Sequence, residues 1–261
     1  MVEEELTRRW EGFHLTDVEN EVLELANEVD KEAKCQGKHF ILALILTEKE
    51  ANKEAFKNTM SQIWRLDGWV SFTDMGDHKF LIEFQFQLDM EKVILGRPWF
   101  FDRSIVAIQL FDGSIPFNEI AFNYELFWVQ IHNLPLNSMN QEVGGQVGAT
   151  IGKVLKVDVD EEGWGWGRCL RVQVEVDLYK PLVRGKRILA GGKSAWVDFK
   201  YERLQSFCFK CGVLKHKGRS CSGQSSDIKF QYGPWLRAQP MHSNIFDAKK
   251  YGGRHNLDHR N

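Results

Sequence analysis

The sequence has no apolar run approaching the ~18 residues that a membrane-spanning helix needs. Its start, with three consecutive glutamates at residues 3–5, is unlike a secretory leader. We therefore expect an intracellular protein, in the nucleus or the cytoplasm, with no membrane partner. Signatures of catalysis are also missing, because no G-x-S-x-G, P-loop, paired-carboxylate or H-E-x-x-H motif is present. We expect no enzymatic activity and no small-molecule substrate.

Isolated side chains of catalytic type do occur. His132 near Asp158, or Cys169 near a histidine, would suit a hydrolase on paper. A lone histidine in a strand is more often a core or edge residue, and none of these residues belongs to a recognised catalytic motif.

Cysteine is sparse and unevenly distributed. The chain has five cysteines, an odd number, of which Cys35 and Cys169 stand alone and three fall within residues 208–221. This pattern favours metal binding in a reducing compartment over a disulfide framework.

Charge is unevenly distributed as well. From residue 200 to the end there are 12 Lys and Arg against 4 Asp and Glu, while residues 1–199 have 22 against 32. The C-terminal part is therefore basic and suited to anions, and the larger N-terminal part is acidic. A basic stretch can also be only a solvated tail, but here the basic residues lie inside a cysteine and histidine motif.

Hydrophobic periodicity predicts two α+β modules. An N-terminal extension, residues 1–35, contains a helix over 17–34 with Thr16 or Asp17 as its cap. The first module, residues 36–112, has strands at 40–46, 69–72, 79–86 and 105–110, with helices at 52–66 and around 90–94. This β-α-β-β-α-β order is that of the ferredoxin-like fold.

The second module, residues 124–203, begins the same order again. It has strands at 126–131, 154–159, 169–176 and 195–201, and a helix over 139–151. Pro181 and Leu182 are candidates to open a second, short helix. Three glycines in the first helix, at 144, 145 and 148, are expected to weaken it by roughly 1 kcal/mol each relative to alanine.

A zinc knuckle is predicted at residues 204–224, followed by a basic, flexible and largely disordered tail at residues 225–261. The motif is C-x2-C-x4-H-x4-C, formed by Cys208, Cys211, His216 and Cys221. Zinc takes four such ligands in a tetrahedron, and four protein ligands leave no position for a catalytic water. We expect one structural zinc ion, without which so short a loop would not fold.

The residues between the ligands suit nucleic acid. Lysine and arginine can contact phosphates, Phe209 and Leu214 can offer an apolar platform to an unpaired base, and Gly212 frees the backbone for the turn after Cys211. The predicted nucleic-acid contacts are Phe209, Lys210, Leu214, Lys215, Lys217 and Arg219. Zinc alone does not identify the partner, so a site that only staples the fold or contacts protein stays open.

Several segments resemble a large plant family in which an N-terminal domain of unknown function precedes a CCHC knuckle. Members occur in LINE-type retrotransposon proteins and as stand-alone relatives. The similar segments span residues 14–238 and include YERLQSFCFKCGVLKHKGRSC (201–221), YGPWLRA (232–238), GRPWFF (96–101), NLP (133–135), GKVLKVD (152–158) and PLVRG (181–185). The resemblance implies a zinc-dependent nucleic-acid-binding protein derived from a mobile element. One departure is Lys215, where such knuckles usually have glycine.

The modules lack the aromatic platform of an RNA-recognition motif. That motif stacks bases on rings displayed by its central strands. In the first module the face opposite Phe80, Ile82 and Phe84 has no ring, and in the second module the corresponding positions are Gln130, Arg171 and Gln173. We expect scaffolds or protein-interaction surfaces instead, although Arg171 could stack through its guanidinium group. Trp164 and Trp166, in a glycine-rich loop, are candidate stacking residues or core residues.

Two functions from different classes remain. The first is binding of single-stranded RNA or DNA through the knuckle. The second is an interaction adaptor, in which the knuckle is structural and the modules dock protein partners.

Overall fold

The computed structural model of the protein describes residues 16–23, 39–111, 116–216, 221 and 231–238. The chain divides into two units, Met1–Gly37 and Lys38–Asn261. In the first unit, helix α1 (Asp17–Asn20) begins after Thr16, which forms a capping box with Glu19. Thr16 is therefore the cap, and the helix ends at Asn20. Residues 24–34 of the predicted helix lie outside the described residues.

The second unit is α+β with two sheets, as predicted. Its first half has β1 (His39–Ile45), α2 (Lys53–Trp64), β2 (Val70–Asp74), β3 (Lys79–Phe84), α3 (Gln87–Leu95), β4 (Trp99–Phe101) and β5 (Ser104–Leu110). Its second half has β6 (Tyr124–His132), α4 (Gln141–Gly148), β7 (Lys153–Asp158), β8 (Cys169–Asp177), β9 (Gly185–Ala190), β10 (Lys193–Glu202) and β11 (Arg237–Ala238). Short 3₁₀ turns are formed by Leu136–Ser138 and Pro234–Leu236. Among the described residues, no helix is long and apolar enough to cross a membrane.

The first sheet has the strand order β2-β3-β1-β5-β4, with antiparallel neighbours. Helix α2 starts at Asn52, whose side chain accepts a hydrogen bond from the Ala55 N–H. The helix buries Phe56, Met60 and Trp64 in the same core as alternate residues of β1, β3 and β5. The alternation seen in β3 is thus the signature of a strand with one face under helices.

The opposite face of the first sheet is buried as well. Leu42 of β1, together with Ile105 and Ala107 of β5, belongs to a second core that also contains β6, β8 and β10 residues. Leu81 of β3 packs against the same core. This face is therefore closed to ligands by packing against the second half of the unit.

The second sheet has the order β11-β10-β6-β8-β7, and β9 pairs with β10. Helix α4 covers the face that carries Val129, Val172 and Phe199. The short helix predicted at Pro181 and Leu182 is wrong. Pro181 forms a β-bridge with Val213 of the knuckle, and β9 follows as one arm of a hairpin with β10.

A buried carboxylate joins the two halves. Because β4 is short, the outer edge of β5 is left unpaired beyond it, and the Ile108 N–H donates to Glu125 Oε2 at 2.8 Å. Arg97 donates from Nη1 to the Ile108 carbonyl at 3.3 Å and lies 3.5 Å from Glu125 Oε1. Burial raises the pKa of Glu125 to about 7, although Arg97 and the backbone N–H groups of Leu126 and Ile108 act to lower it.

We predict that Glu125→Gln removes part of the pH dependence of stability. The pKa of Glu125 is about 7 in the fold against 4.5 ordinarily, so the buried, protonated carboxyl stabilises the fold below pH 4.5. That stabilisation is lost as the pH rises through 7, by about 3 kcal/mol in all. Urea unfolding of both zinc-loaded proteins at pH 5 and pH 8 measures the difference, since the knuckle is the same in both. An unfolding free-energy difference independent of pH would show that Glu125 is ionised throughout.

Candidate metal centre and the surface around it

Three thiols and one imidazole converge in the knuckle. The ligand atoms of Cys208, Cys211, His216 and Cys221 all lie within 4.8 Å of one another. Cys208 Sγ is 3.7 Å from Cys221 Sγ, and Cys211 Sγ is 3.2 Å from His216 Nε2. A regular tetrahedron with Zn–S bonds of about 2.3 Å has an edge of about 3.8 Å. The donor set and its spacing therefore fit one zinc ion with four protein ligands.

The thiols of the cluster differ in acidity. Burial would raise the pKa of Cys208, but hydrogen bonds from the backbone of Cys211 and Lys210, with those of the neighbouring thiols, lower it. Burial raises the pKa of Cys211 to about 11, and the nearby Cys208 and Cys221 add to this effect. A bound dication would reverse this balance, because a thiol that ligates a metal is deprotonated. Zinc binding therefore releases protons.

Gly212 shapes the turn after the second ligand. Its φ of +77° lies in the left-handed region, as the sequence predicts for a freed backbone. Its N–H donates to the Cys208 carbonyl at 2.7 Å, which closes the loop between the first two ligands. A Cβ at this position would run into the ring of Tyr232. Both the backbone angle and the packing therefore require glycine.

The knuckle is hydrogen-bonded to the end of β8 and the segment after it. The Leu182 N–H donates to the Gly212 carbonyl at 2.9 Å, and the Lys215 N–H donates to the Leu178 carbonyl at 2.8 Å. Val213 is buried, and Leu214 packs against the core of the second sheet. The zinc loop is thus an extension of the second half and shares its core.

A cluster of two aromatic rings and an arginine adjoins the first ligand. The centroids of Phe207 and Phe209 are 5.0 Å apart, and the Arg237 guanidinium lies 5.8 and 5.9 Å from them. Arg237 also donates to the Gln205 carbonyl, which fixes its position. Phe207 packs on the core, whereas Phe209 is 38% exposed. The cluster therefore holds one exposed ring beside the metal site.

The predicted nucleic-acid contacts are placed differently from one another. Phe209 and Lys210 are exposed, whereas Lys215 and Leu214 are half-buried; Leu214 packs against the core of the second sheet and so offers less surface to a base than predicted. Lys215 lies outside the left-handed region of backbone angles, so lysine in place of the usual glycine causes no strain. Lys217 and Arg219 lie outside the described residues.

The central positions of the second sheet, opposite α4, are occupied by a polar network. Arg171 donates from Nε and Nη2 to Glu202 at 2.9 and 3.0 Å and from Nη1 to Asp158 at 2.5 Å. Its guanidinium lies 4.4 Å from the Trp128 ring, and Gln130 donates to Glu202 at 2.7 Å. Arg171 is therefore already paired and stacked within the protein.

The structure also gives the surroundings of two other pairs singled out by the sequence, the tryptophans 164 and 166 and the residues Cys169 and His132. Trp164 and Trp166 stack at 5.3 Å, and Trp166 is 60% exposed, so the pair forms a surface feature. Cys169 lies directly opposite His132 in the β6 and β8 pairing. Burial raises the pKa of Cys169, which disfavours the thiolate that a nucleophile needs.

The sequence did not identify the residues that surround the knuckle. Arg184 donates to the Gln231 carbonyl at 3.2 Å and lies over the Tyr232 ring at 5.5 Å. Tyr232 and Arg237 come from a segment assigned to the flexible tail, yet residues 231–238 are ordered against β10. The signal was present in the PLVRG and YGPWLRA segments, but nothing in a single sequence shows that they meet.

We predict one zinc ion per chain, lost in a Cys208→Ser, Cys211→Ser double variant. Removing zinc should abolish amide-exchange protection at Leu182 and Lys215, because Leu182 donates to a carbonyl of the loop that zinc folds and Lys215 itself belongs to that loop. Zinc affinity should rise at least tenfold per pH unit from pH 6.5 to 7.5, since thiols lose protons on binding. Chelator competition and hydrogen-exchange mass spectrometry measure both. Unchanged protection in the apo-protein would show that the loop folds without metal.

We predict that Gly212→Ala weakens zinc binding by about 10- to 100-fold. Alanine is strained at the left-handed φ of this position, and its Cβ would overlap the Tyr232 ring. Gly191→Ala is the matched control, because Gly191 also has a positive φ, 56°, but nothing lies within 4 Å of its added Cβ. The control should keep full zinc affinity in chelator competition. Equal losses in both variants would contradict the role given to Tyr232.

Comparisons with known proteins agree with this arrangement. A family described as "Domain of unknown function (DUF4283)" matches residues 33–115, and a family described as "Zinc knuckle" matches residues 176–223. No curated protein matches the chain. The structure of the C. elegans NONO-1 homodimer aligns over 86% of this chain and 75% of that one, with 13% identity and a TM-score of 0.24, too low to support an argument about fold.

The zinc-knuckle match starts at residue 176, and so includes the residues on which the zinc loop rests. The order of the two matches is the order in which the structure places the first sheet and the metal site. The chain therefore has a DUF4283 domain followed by a CCHC zinc knuckle, in which Cys208, Cys211, His216 and Cys221 are arranged to hold one metal ion.

Proposed function

We propose that the protein binds single-stranded nucleic acid, RNA or DNA, through its zinc knuckle and without catalysis. The observation that carries the proposal is the exposed Phe209 ring, which lies between the first two zinc ligands beside the exposed Lys210. An unpaired base can stack on such a ring while its phosphates contact nearby cations.

The support around Phe209 favours stacking. Phe207 and Arg237 lie against the ring and restrict its motion, so little conformational entropy is lost when a base stacks on its exposed part. Arg237 adds a positive charge within reach of a phosphate, and the basic C-terminal part supplies more. These local positive charges are needed because the acidic N-terminal part repels the phosphates of a nucleic acid.

Catalysis is not part of the proposal. Four protein ligands complete the zinc tetrahedron, which suits a structural ion. We infer that the two sheets are ferredoxin-like scaffolds, since the order β2-β3-β1-β5 recurs as β7-β8-β6-β10. Derivation from a plant retrotransposon stays a prediction from the resemblance.

The test is titration of labelled single-stranded RNA and DNA at several salt concentrations. Neutralisation of phosphates by Lys210, Lys215, Lys217 and Arg219 predicts a slope of about −3 for log affinity against log salt. Phe209→Ala should lower affinity by about 5- to 100-fold at every salt concentration, because a stack is lost. Lys210→Gln should reduce the slope by about 1.

The matched control for Lys210 is Lys49→Gln, which removes an exposed lysine from the first module and should change neither quantity. No binding by the zinc-loaded protein would overturn the proposal. The adaptor function would then take its place, provided that a protein partner is retained after nuclease treatment.

A further inference from the structure

A small cavity lies between β10 and the 3₁₀ turn Pro234–Leu236. Its volume is about 270 Å³, and its walls include two tryptophans and two basic side chains. This is below the roughly 300–1,000 Å³ of pockets for drug-sized ligands, and it suits a single flat group. The lining residues used below are Arg184, Trp196, Asp198, Lys200 and Trp235.

Both tryptophans are held at the surface. Trp196 is 48% exposed and Trp235 is 55% exposed, although large rings are usually buried. Trp196 lies over Gly185, where an added Cβ would come 2.6 Å from Cζ2, and Trp235 lies over Gly233 in the same way. Each ring therefore packs on backbone that has no side chain, and about half of its surface stays exposed to solvent.

The polar edge of Trp196 is already satisfied. Its indole N–H donates to Asp198 Oδ1 at 2.8 Å, and Asp198 Oδ2 accepts from Asn133 Nδ2 at 2.6 Å. Asp198 thus orients the ring and uses both oxygens in doing so. Because the indole N–H is already hydrogen-bonded, the part of the Trp196 ring that a ligand can contact is apolar.

Within the described part of the chain, the two basic side chains of the cavity have no carboxylate partner. Neither Arg184 nor Lys200 forms an ion pair with any residue that the structure describes. Arg184 is oriented by the Gln231 carbonyl and the Tyr232 ring, so its charge is held at the cavity. Rings beside unpaired cations are the combination that binds a base and its phosphate.

The cavity is linked to the zinc loop through one segment. Tyr232 packs against Gly212 of the loop and beneath Arg184 of the cavity. Three residues beyond Tyr232 comes Trp235, and two further on comes Arg237, which lies over Phe209. Residues 231–238 therefore contribute to the cavity and to the aromatic cluster beside the metal.

We propose that this cavity binds one unpaired base, with its phosphate, of the same single strand that the knuckle binds. This inference rests on the proposed function and extends it from the knuckle to a second subsite. Trp196 and Trp235 stack the base, and Arg184 and Lys200 contact the phosphate. The knuckle alone would then bind short oligonucleotides, and both subsites would bind longer ones.

The test compares Trp235→Ala and Trp235→Phe in zinc-loaded full-length protein. With a labelled single strand of about 12 nucleotides, Trp235→Ala should lower affinity by about 5- to 100-fold. Trp235→Phe keeps a stacking face and should bind within about threefold of the unsubstituted protein. Trp69→Ala is the control, since Trp69 is 52% exposed against 55% for Trp235 but belongs to the first half of the unit, so its removal should have no effect.

Photocross-linking with 5-iodouridine in the same oligonucleotide gives an independent readout. Adducts at Trp196 or Trp235 are expected in addition to adducts at the knuckle. Binding that is lost in Phe209→Ala but unchanged in Trp235→Ala, with adducts at the knuckle only, would overturn the cavity and leave the proposed function intact. Absence of binding by the unsubstituted protein would overturn both. A proline-rich peptide that binds the cavity while nucleic acid does not would also overturn the inference.

Discussion

The hydrogen bonds between the zinc loop and the second sheet determine how the rest of the site is arranged. A loop of fourteen residues has no core of its own, and zinc supplies its folding energy. Zinc alone would fold the loop without fixing its position relative to the second sheet. The bonds from Leu182 to Gly212 and from Lys215 to Leu178 instead fix the loop against the end of β8. The positions of Phe209 and Lys210 relative to the sheet follow from that attachment.

The same attachment explains the shape of the second half. In the first half, α3 lies between β3 and β5, whereas the corresponding stretch between β8 and β10 contains β9 and the residues that receive the knuckle. Pro181 is bridged to Val213, and the chain continues extended into β9. A helix there would cover the surface on which the zinc loop rests. The extended segment and β9, in place of a helix, therefore leave this surface free for the zinc loop.

Much of the fold could be predicted from local pattern. The alternation in β3, the apolar stripe of α2 and the spacing of the zinc ligands each depend on neighbours in sequence, and they predict the strand, the helix and the site correctly. By helix propensity alone, the glycines of α4 predict a less stable helix. In the structure, a Cβ on Gly144 would lie 2.6 Å from Val157, so the glycine is needed for close packing on the sheet. Propensity measured one residue at a time cannot show this.

What could not be predicted depends on contacts between distant segments. Leu214 appeared available to a base, but it packs against the core of the second sheet and is half-buried. Arg171 appeared available for stacking, but Glu202, more than thirty residues away, pairs with it. In both cases the competing partner is a long-range tertiary contact. Residues 231–238 appeared to be tail because their partners, Gly212 and Tyr201, lie outside any local window.

Lys215 shows how such a contact changes the meaning of a substitution. Glycine before the histidine suggests a need for unusual backbone angles, and lysine there would then distort the loop. Lys215 instead has ordinary angles and donates its N–H to Leu178, so the sheet fixes this part of the loop. Lysine at this position places a positive charge next to His216 without strain. The departure from the family pattern is therefore consistent with retained zinc binding and with stronger attraction for phosphate.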